Sequence, residues 1–229
     1  MPDLYIANKN YSSWSLRPWV LMQTLDIPFN EHLVPFKGGL GASREAFTHF
    51  SPSGLVPCLV DGDIAVWDSL AIIEYVAEQH PKVWPKDKVA RAWARSACAE
   101  MHSGFTTLRD ECSMNCGVRV ALDRVSAGLS SDIERLDARW QEGVARFGGP
   151  FLAGNEFTAV DAFYAPVVFR VQTFGLPLSE VSRAYVKRML ALPAMQAWYQ
   201  AALEETWREP AHEADTLQHG TLTADYRNA

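Results

Sequence analysis

The sequence is short of the features that mark several whole classes of protein. It holds only 4 cysteines in 229 residues, Cys58, Cys98, Cys112 and Cys116, and none belongs to a CxxC pair. A disulfide framework is therefore not expected, and the i,i+4 pair Cys112 and Cys116 has no second His/Cys pair to complete a metal site. Positive charge is not in excess: Lys+Arg number 21 against Asp+Glu 27, a net charge of −6. Residues 1–80 hold 4 basic and 9 acidic side chains and residues 81–229 hold 17 and 18, so neither part offers a basic face. A nucleic-acid partner is disfavoured on that ground. Long hydrophobic runs are missing too. The apolar stretch from Phe163 to Phe169 is well under the roughly 20 residues that span a bilayer, so no membrane helix is expected. The first residues carry no basic region followed by an apolar stretch and a small-residue cleavage site, which reads as a cytoplasmic chain.

What is present is an ordinary globular composition, 48% hydrophobic and 21% charged. At roughly 150 residues per domain the length predicts one or two domains. Leu4 to Ala7 reads as a buried strand, Trp14 to Leu25 as a helix, His32 to Phe36 as a second strand ended by Gly38-Gly39, and 43–49 as partly helical. Val56 to Val60 and Ile64 to Trp67, joined by Asp61-Gly62-Asp63, read as a hairpin. Asp68-Ser69 then supplies an N-cap before the apolar series Leu70, Ile73, Val76 and Ala77. The order is βαβαββα over residues 1–80. Residues 81–87, with Pro81 and Pro85, cannot continue the helix and read as a linker.

From 88 to 208 the pattern is helical, an all-α bundle. Val118, Leu122, Val125, Leu129, Ile133, Leu136, Trp140, Val144 and Phe147 recur at a mean step of about 3.6, which predicts one long amphipathic helix. A companion stripe at Val89, Trp93, Ala97, Met101, Phe105 and Leu108 predicts a second helix packed on it. Thr158 and Asp161 form a capping box behind Phe157, opening a helix that runs to about Gln172. Shorter helices follow over 180–190 and 194–206, and the polar end, 209–229, reads as a loosely docked tail.

Three features could carry chemistry. Ser12 and Ser13 sit at a strand-to-helix turn, where hydroxyls, backbone N–H groups and the helix dipole stabilise an anion, although a serine there also serves as a plain cap. Pro57 opens a strand in a turn context that favours a cis bond and a fixed backbone edge at Val56, against the usual reading as a trans edge residue. Asp68 and Ser69 begin a helix, as an anion site or as a cap.

The order and spacing of these features, through Ser12-Ser13-Trp14-Ser15-Leu16-Arg17, Trp67-Asp68-Ser69-Leu70 and Asn155 to Ala162, resemble the glutathione transferase superfamily. The serine motif is similar to that of its zeta, maleylacetoacetate isomerase-like, class, and the resemblance spans about residues 3–206. It implies a thioredoxin-like domain followed by a helical one, a cytoplasmic homodimer, and glutathione as co-substrate with no metal. Ser12, or Ser13 beside it, would donate a hydrogen bond to the glutathione sulfur. Val56 would pair its backbone with the cysteinyl part beside Pro57, Asp68 and Ser69 would hold the γ-glutamyl end, and Lys37 would face the glycine carboxylate. Trp14 stands where the zeta motif has Cys. Trp14, Met101, His102 and Phe105 are candidate walls for the second substrate, although all four residue types also occur as plain helix core. The implied activity is conjugation of glutathione to small apolar electrophiles; glutathione-dependent isomerisation and a non-catalytic binding protein of the same fold are the alternatives. No cysteine lies between 10 and 17, which sets disulfide exchange aside.

Overall fold

In the computed structural model of the chain, which describes residues 1–38 and 40–228, the first eighty residues build a four-stranded sheet. Its strands are β1 (Asp3–Ile6), β2 (Asn30–Leu33), β3 (Cys58–Asp61) and β4 (Ile64–Trp67), in the order β2-β1-β3-β4. β1 runs parallel to β2, with Ile6 opposite Leu33, and antiparallel to β3, with Leu4 opposite Leu59. Leu4, Ile6 and Leu59 face the core. The helices of this part are α1 (Ser13–Thr24), α2 (Leu40–Phe47) and α3 (Ser69–Ala77). The expected Gly38-Gly39 break includes Gly39, which lies outside the described residues. The second strand falls earlier than the expected His32 to Phe36. β2 is a polar, mostly exposed edge strand, and its register is set by pairing and by polar contacts such as Asn30 Nδ2 donating to Asp3 Oδ1 at 2.9 Å, not by an apolar run.

A short 3-10 turn, Pro81–Val83, leads into the helical part. Its elements are α4 (Lys88–Ser103), α5 (Thr106–Glu111), α6 (Ala127–Phe147), α7 (Ala159–Phe174), α8 (Glu180–Leu190), α9 (Pro193–Glu204) and α10 (Pro210–Leu217), with strands β5 (Val118–Leu122) and β6 (Gly220–Asp225). α7 is the hub: nearly every residue of it is buried, and α1, α4 and α8 pack against it. Asp161 opens it by accepting from the N–H of Thr158 at 3.0 Å, as the capping pattern requires, and also from Leu152 at 3.0 Å.

Three expectations are corrected here. The stripe through Val89 to Leu108 is not one helix. α4 stops at Ser103, and Phe105 takes a left-handed φ of 55° before α5 begins. A Cβ on the intervening Gly104 would sit 2.8 Å from the Glu100 carbonyl oxygen, and Val89 itself is 52% exposed. The long helix begins at Ala127, not Val118. Val118 and Val120 are buried on either side of the partly exposed Arg119, the alternation of a strand, and the segment pairs antiparallel with β6. The third correction is the tail. Residues 209–229 supply α10 and β6, and Glu213 anchors α10 by accepting from Tyr11 Oη at 2.6 Å, Asn115 Nδ2 at 3.2 Å and Arg227 Nη1 at 2.5 Å. Burial works against its ionisation, yet the bonds from Arg227 and Tyr11 hold Glu213 below its usual range.

Candidate functional site

Between the carboxyl side of the sheet and the helical layer lies a cavity of about 550 Å³. Ser12, Ser13, Trp14, Val56, Pro57, Asp68 and Ser69, far apart in sequence, all line it. The turn before α1 is wound by the Tyr11 and Ser12 N–H groups, both donating to the Asn8 carbonyl at 3.1 and 2.8 Å. That turn sets Ser12, only 4% exposed, at the cavity edge. Its side chain does not cap α1. Ser12 Oγ instead donates to Ser15 Oγ at 2.7 Å, and Ser15 Oγ accepts from the Ala7 N–H at 3.4 Å. The plain-cap alternative for Ser12 is thereby not what the hydroxyl does.

The Val56-Pro57 peptide is cis. Asp68, in a left-handed backbone at φ 73°, caps α3 by accepting from the Leu70 N–H at 2.8 Å, and its second oxygen lies 3.6 Å from His102 Nε2. Ser69 Oγ accepts from Arg17 Nη1 at 3.2 Å. Arg17 is buried, and burial first, then the fields of Arg109 and Arg170, lower its pKa to about 9 against the opposing pull of Asp68. Trp14 is held between two guanidiniums, those of Arg17 at 4.2 Å and Arg109 at 4.9 Å from its ring.

The remaining expected residues stand elsewhere. Lys37 is exposed and does not line the cavity; its backbone N–H donates to Ser43 Oγ at 2.8 Å. Met101 on α4 and Phe105 at the start of α5, 1% and 6% exposed, are core side chains and do not line the cavity. His102 stands behind the wall, edge-on to Trp14 at 5.1 Å. Burial lowers its pKa, with Asp68 opposing and Arg17 and Arg109 adding to the shift.

The opposite wall was not anticipated. Arg109 from α5, Ser113, Met114, Arg170 from α7 and His212 from α10 complete the cavity. His212 stacks on Phe36 at 4.6 Å and on Tyr11 at 5.0 Å, with Nδ1 2.8 Å from Glu209 Oε2. Arg170 carries a signal legible in sequence, a lone charge inside the apolar stretch of α7; His212, in a polar segment, carries none.

A mixed sheet with a cis-proline beside a helix N-terminus, covered by a separate helical layer, defines a thioredoxin-like domain joined to a mainly helical domain. Two family models match the chain, "Glutathione S-transferase, N-terminal domain" over residues 11–79 and "Glutathione S-transferase, C-terminal domain" over 119–201. The chain belongs to the glutathione transferase superfamily. It is similar to a probable maleylacetoacetate isomerase of Caenorhabditis elegans, 28% identical over 78% of this chain and 81% of that protein. It is also similar to glutathione S-transferase 1 of Dianthus caryophyllus, 26% identical over 78% and 81%. Among solved structures, a Burkholderia glutathione transferase homolog with bound glutathione superposes with a TM-score of 0.64 at 22% identity, covering 88% of this chain and 97% of that one. Glutathione transferase Omega 3C of Trametes versicolor gives 0.66 at 17% identity, covering 95% and 90%. Among the described residues no helix is long and apolar enough to cross a membrane.

Proposed function

We propose that this protein is a cytoplasmic, homodimeric glutathione transferase that activates the glutathione thiol through Ser12 for attack on a small electrophile. The observation that carries the reading is the convergence of Ser12, the Val56-Pro57 edge and the Asp68-Ser69 helix start on one cavity. A free thiol of pKa about 8.5 is only about 3% thiolate at pH 7. Lowering that pKa by about two units takes roughly 2.7 kcal/mol of preferential anion stabilisation. One hydrogen bond to a charged acceptor supplies roughly 1.5–3 kcal/mol. The Ser12 hydroxyl turned from Ser15 Oγ toward the sulfur, with the start of α1 adding its dipole, accounts for the shift. Val56 would meet the cysteinyl backbone and Ser69 the γ-glutamyl end. Isomerisation is the second reading, favoured by relatives named as maleylacetoacetate isomerases. It uses the same thiolate, which would add to and leave one carbon.

The test is an absorbance titration of the thiolate band with glutathione bound. The apparent thiol pKa is expected near 6.5, about two units below its free value, and Ser12→Ala is expected to return it toward about 8.5. An unshifted thiol in the wild type would mark a binding protein without turnover. Loss of the shift in Ser13→Ala but not in Ser12→Ala would move the assignment one residue along.

A further inference from the structure

One wall of the cavity comes from the end of the chain. α10 lies past the segments that the family models match, and its His212 is the one imidazole lining the cavity among the described residues. Two aromatic rings hold the plane of the imidazole, Phe36 stacked at 4.6 Å and Tyr11 at 5.0 Å. Glu209 holds its edge. Glu209 is only 4% exposed, and its Oε2 accepts from the His212 backbone N–H at 2.8 Å and lies 2.8 Å from Nδ1. Because the acceptor is a carboxylate, the neutral ring carries its proton on Nδ1 and its lone pair on Nε2. The side chain is 35% exposed, and Nε2 has no hydrogen-bond partner among the described residues. A ring fixed in plane, with a carboxylate behind it and a lone pair in front, is the arrangement of a general base.

The other groups around the cavity are unsuited to take a proton. Arg44, Arg109 and Arg170 present guanidiniums, which only donate. Asp68 is occupied in capping α3 through the Leu70 N–H, with its second oxygen toward His102. Tyr11 Oη donates to Glu213, which Arg227 of β6 also engages. Ser12 can offer the sulfur a hydrogen bond, but its hydroxyl already holds its own proton. His212 stacks on Tyr11, the residue next to Ser12, so the free lone pair and the hydroxyl assigned to the sulfur belong to adjoining parts of one wall.

We infer that His212, oriented by Glu209, accepts the thiol proton of bound glutathione and keeps it inside the cavity. The inference rests on the glutathione transferase reading for what occupies the site. The S–H bond breaks and its electron pair stays on sulfur, while the proton bonds to Nε2 directly or through one water. Thiolate and imidazolium together leave the charge of the site unchanged. When sulfur bonds to the electrophilic carbon, the displaced electron pair settles on a neighbouring atom of the substrate. That atom takes the proton from Nε2, and the ring is neutral again. Ser12 and His212 thus divide the work, one stabilising the sulfur anion and the other storing its proton.

The experiment counts protons. Glutathione is titrated calorimetrically into the full-length protein at pH 7.5 in phosphate and in Tris, whose ionisation heats differ, and S-methylglutathione, which has no thiol proton, is the control. A thiol shifted from a pKa of about 8.5 to about 6.5 goes from about 9% to about 91% ionised at that pH, so it gives up about 0.8 proton. In the wild type less than about 0.2 proton is expected to reach the buffer. In His212→Phe, which keeps the ring stack and has no ring nitrogen, and in His212→Gln, about 0.8 is expected. The thiolate absorbance is read in the same samples. A thiolate band with about 0.8 proton released by the wild type would overturn the inference and leave the transferase reading standing. A band with no release in wild type and variants alike would give the proton to another group and overturn the assignment to His212. Absence of the band in the wild type would refute the transferase reading itself, and the inference with it. Circular dichroism checks the fold of each variant; should both fail to fold, the wild-type count still decides, since a proton found in the buffer is not on His212.

Discussion

Ser12 and Ser15 act as a pair. Ser12 Oγ donates to Ser15 Oγ at 2.7 Å, so a sulfur anion placed before Ser12 would compete with Ser15 for that proton. Ser15→Ala, which removes that competitor, is therefore expected to leave the bound thiol pKa at or slightly below its wild-type value in the same absorbance titration, in contrast to the rise in Ser12→Ala. Tyr11, one residue earlier and also on the cavity wall, is differently employed. Its hydroxyl is committed to Glu213 at 2.6 Å, and burial followed by that carboxylate pushes its pKa well above the usual phenol value. It holds its own proton against Glu213 and is a tether. At this scale the sequence was readable where the candidate site meets an element boundary. Ser12, Pro57 and Ser69 each mark a turn or a helix start, and such positions announce themselves by residue type. Arg170 and His212 reach the same cavity from the middle of α7 and from α10, and only tertiary packing gives them a common address.

Among the elements, α7 depends most on one carboxylate. Asp161 accepts from the N–H groups of Leu152 and Thr158, each at 3.0 Å, and from Tyr185 Oη at 3.1 Å. Replacing it with Ala would leave those buried donors without an acceptor, and a loss on the order of 3 kcal/mol is expected by chemical denaturation. Its acidity gives a second handle. Burial raises the Asp161 pKa from 3.8 to about 6, with the three hydrogen bonds opposing. Between those values the native state holds the proton more tightly than the unfolded chain, so this contribution is complete below pH 3.8 and is lost as pH rises through about 6. The stability of the wild type relative to Asp161→Asn is accordingly expected to decline from pH 4 to pH 6, by an amount on the order of 2 kcal/mol. Measuring both proteins in urea at several pH values checks the sign. The Thr158-Asp161 signal was plain in the sequence because a capping box is local. β5 was not, because Val118 and Leu122 satisfy a helical step while Val118 and Val120 satisfy a strand step. Only pairing with residues 220–225, far along the chain, decides between them.

For the molecule as a whole, the segment 210–228 is a strap across both layers. α10 is joined to Tyr11 through Glu213, β6 to β5, and the Asn228 N–H donates to the Leu203 carbonyl at 2.9 Å. A Cβ on Gly117 would come within 2.1 Å of the Arg227 side chain, so the seat of the strap is fitted to its occupant. A protein ending at Glu209 would lose these contacts, expose the β5 edge and remove His212 from the cavity. Its melting temperature is expected to fall by about 10 °C, at roughly 2–4 °C per kcal/mol for a chain of this size, as read by calorimetry.

The pairing of β5 with β6 spans about a hundred residues of intervening chain, among the most non-local contacts in the fold. During synthesis the two walls can assemble while the cavity still lacks one side, and Tyr11 and the β5 edge wait in water for partners not yet made. A ribosome that stalls before residue 213 therefore releases a molecule bearing the serine, the proline and both arginines but no seal over them. The segment that closes the fold last is thus also the one that carries His212 to the cavity.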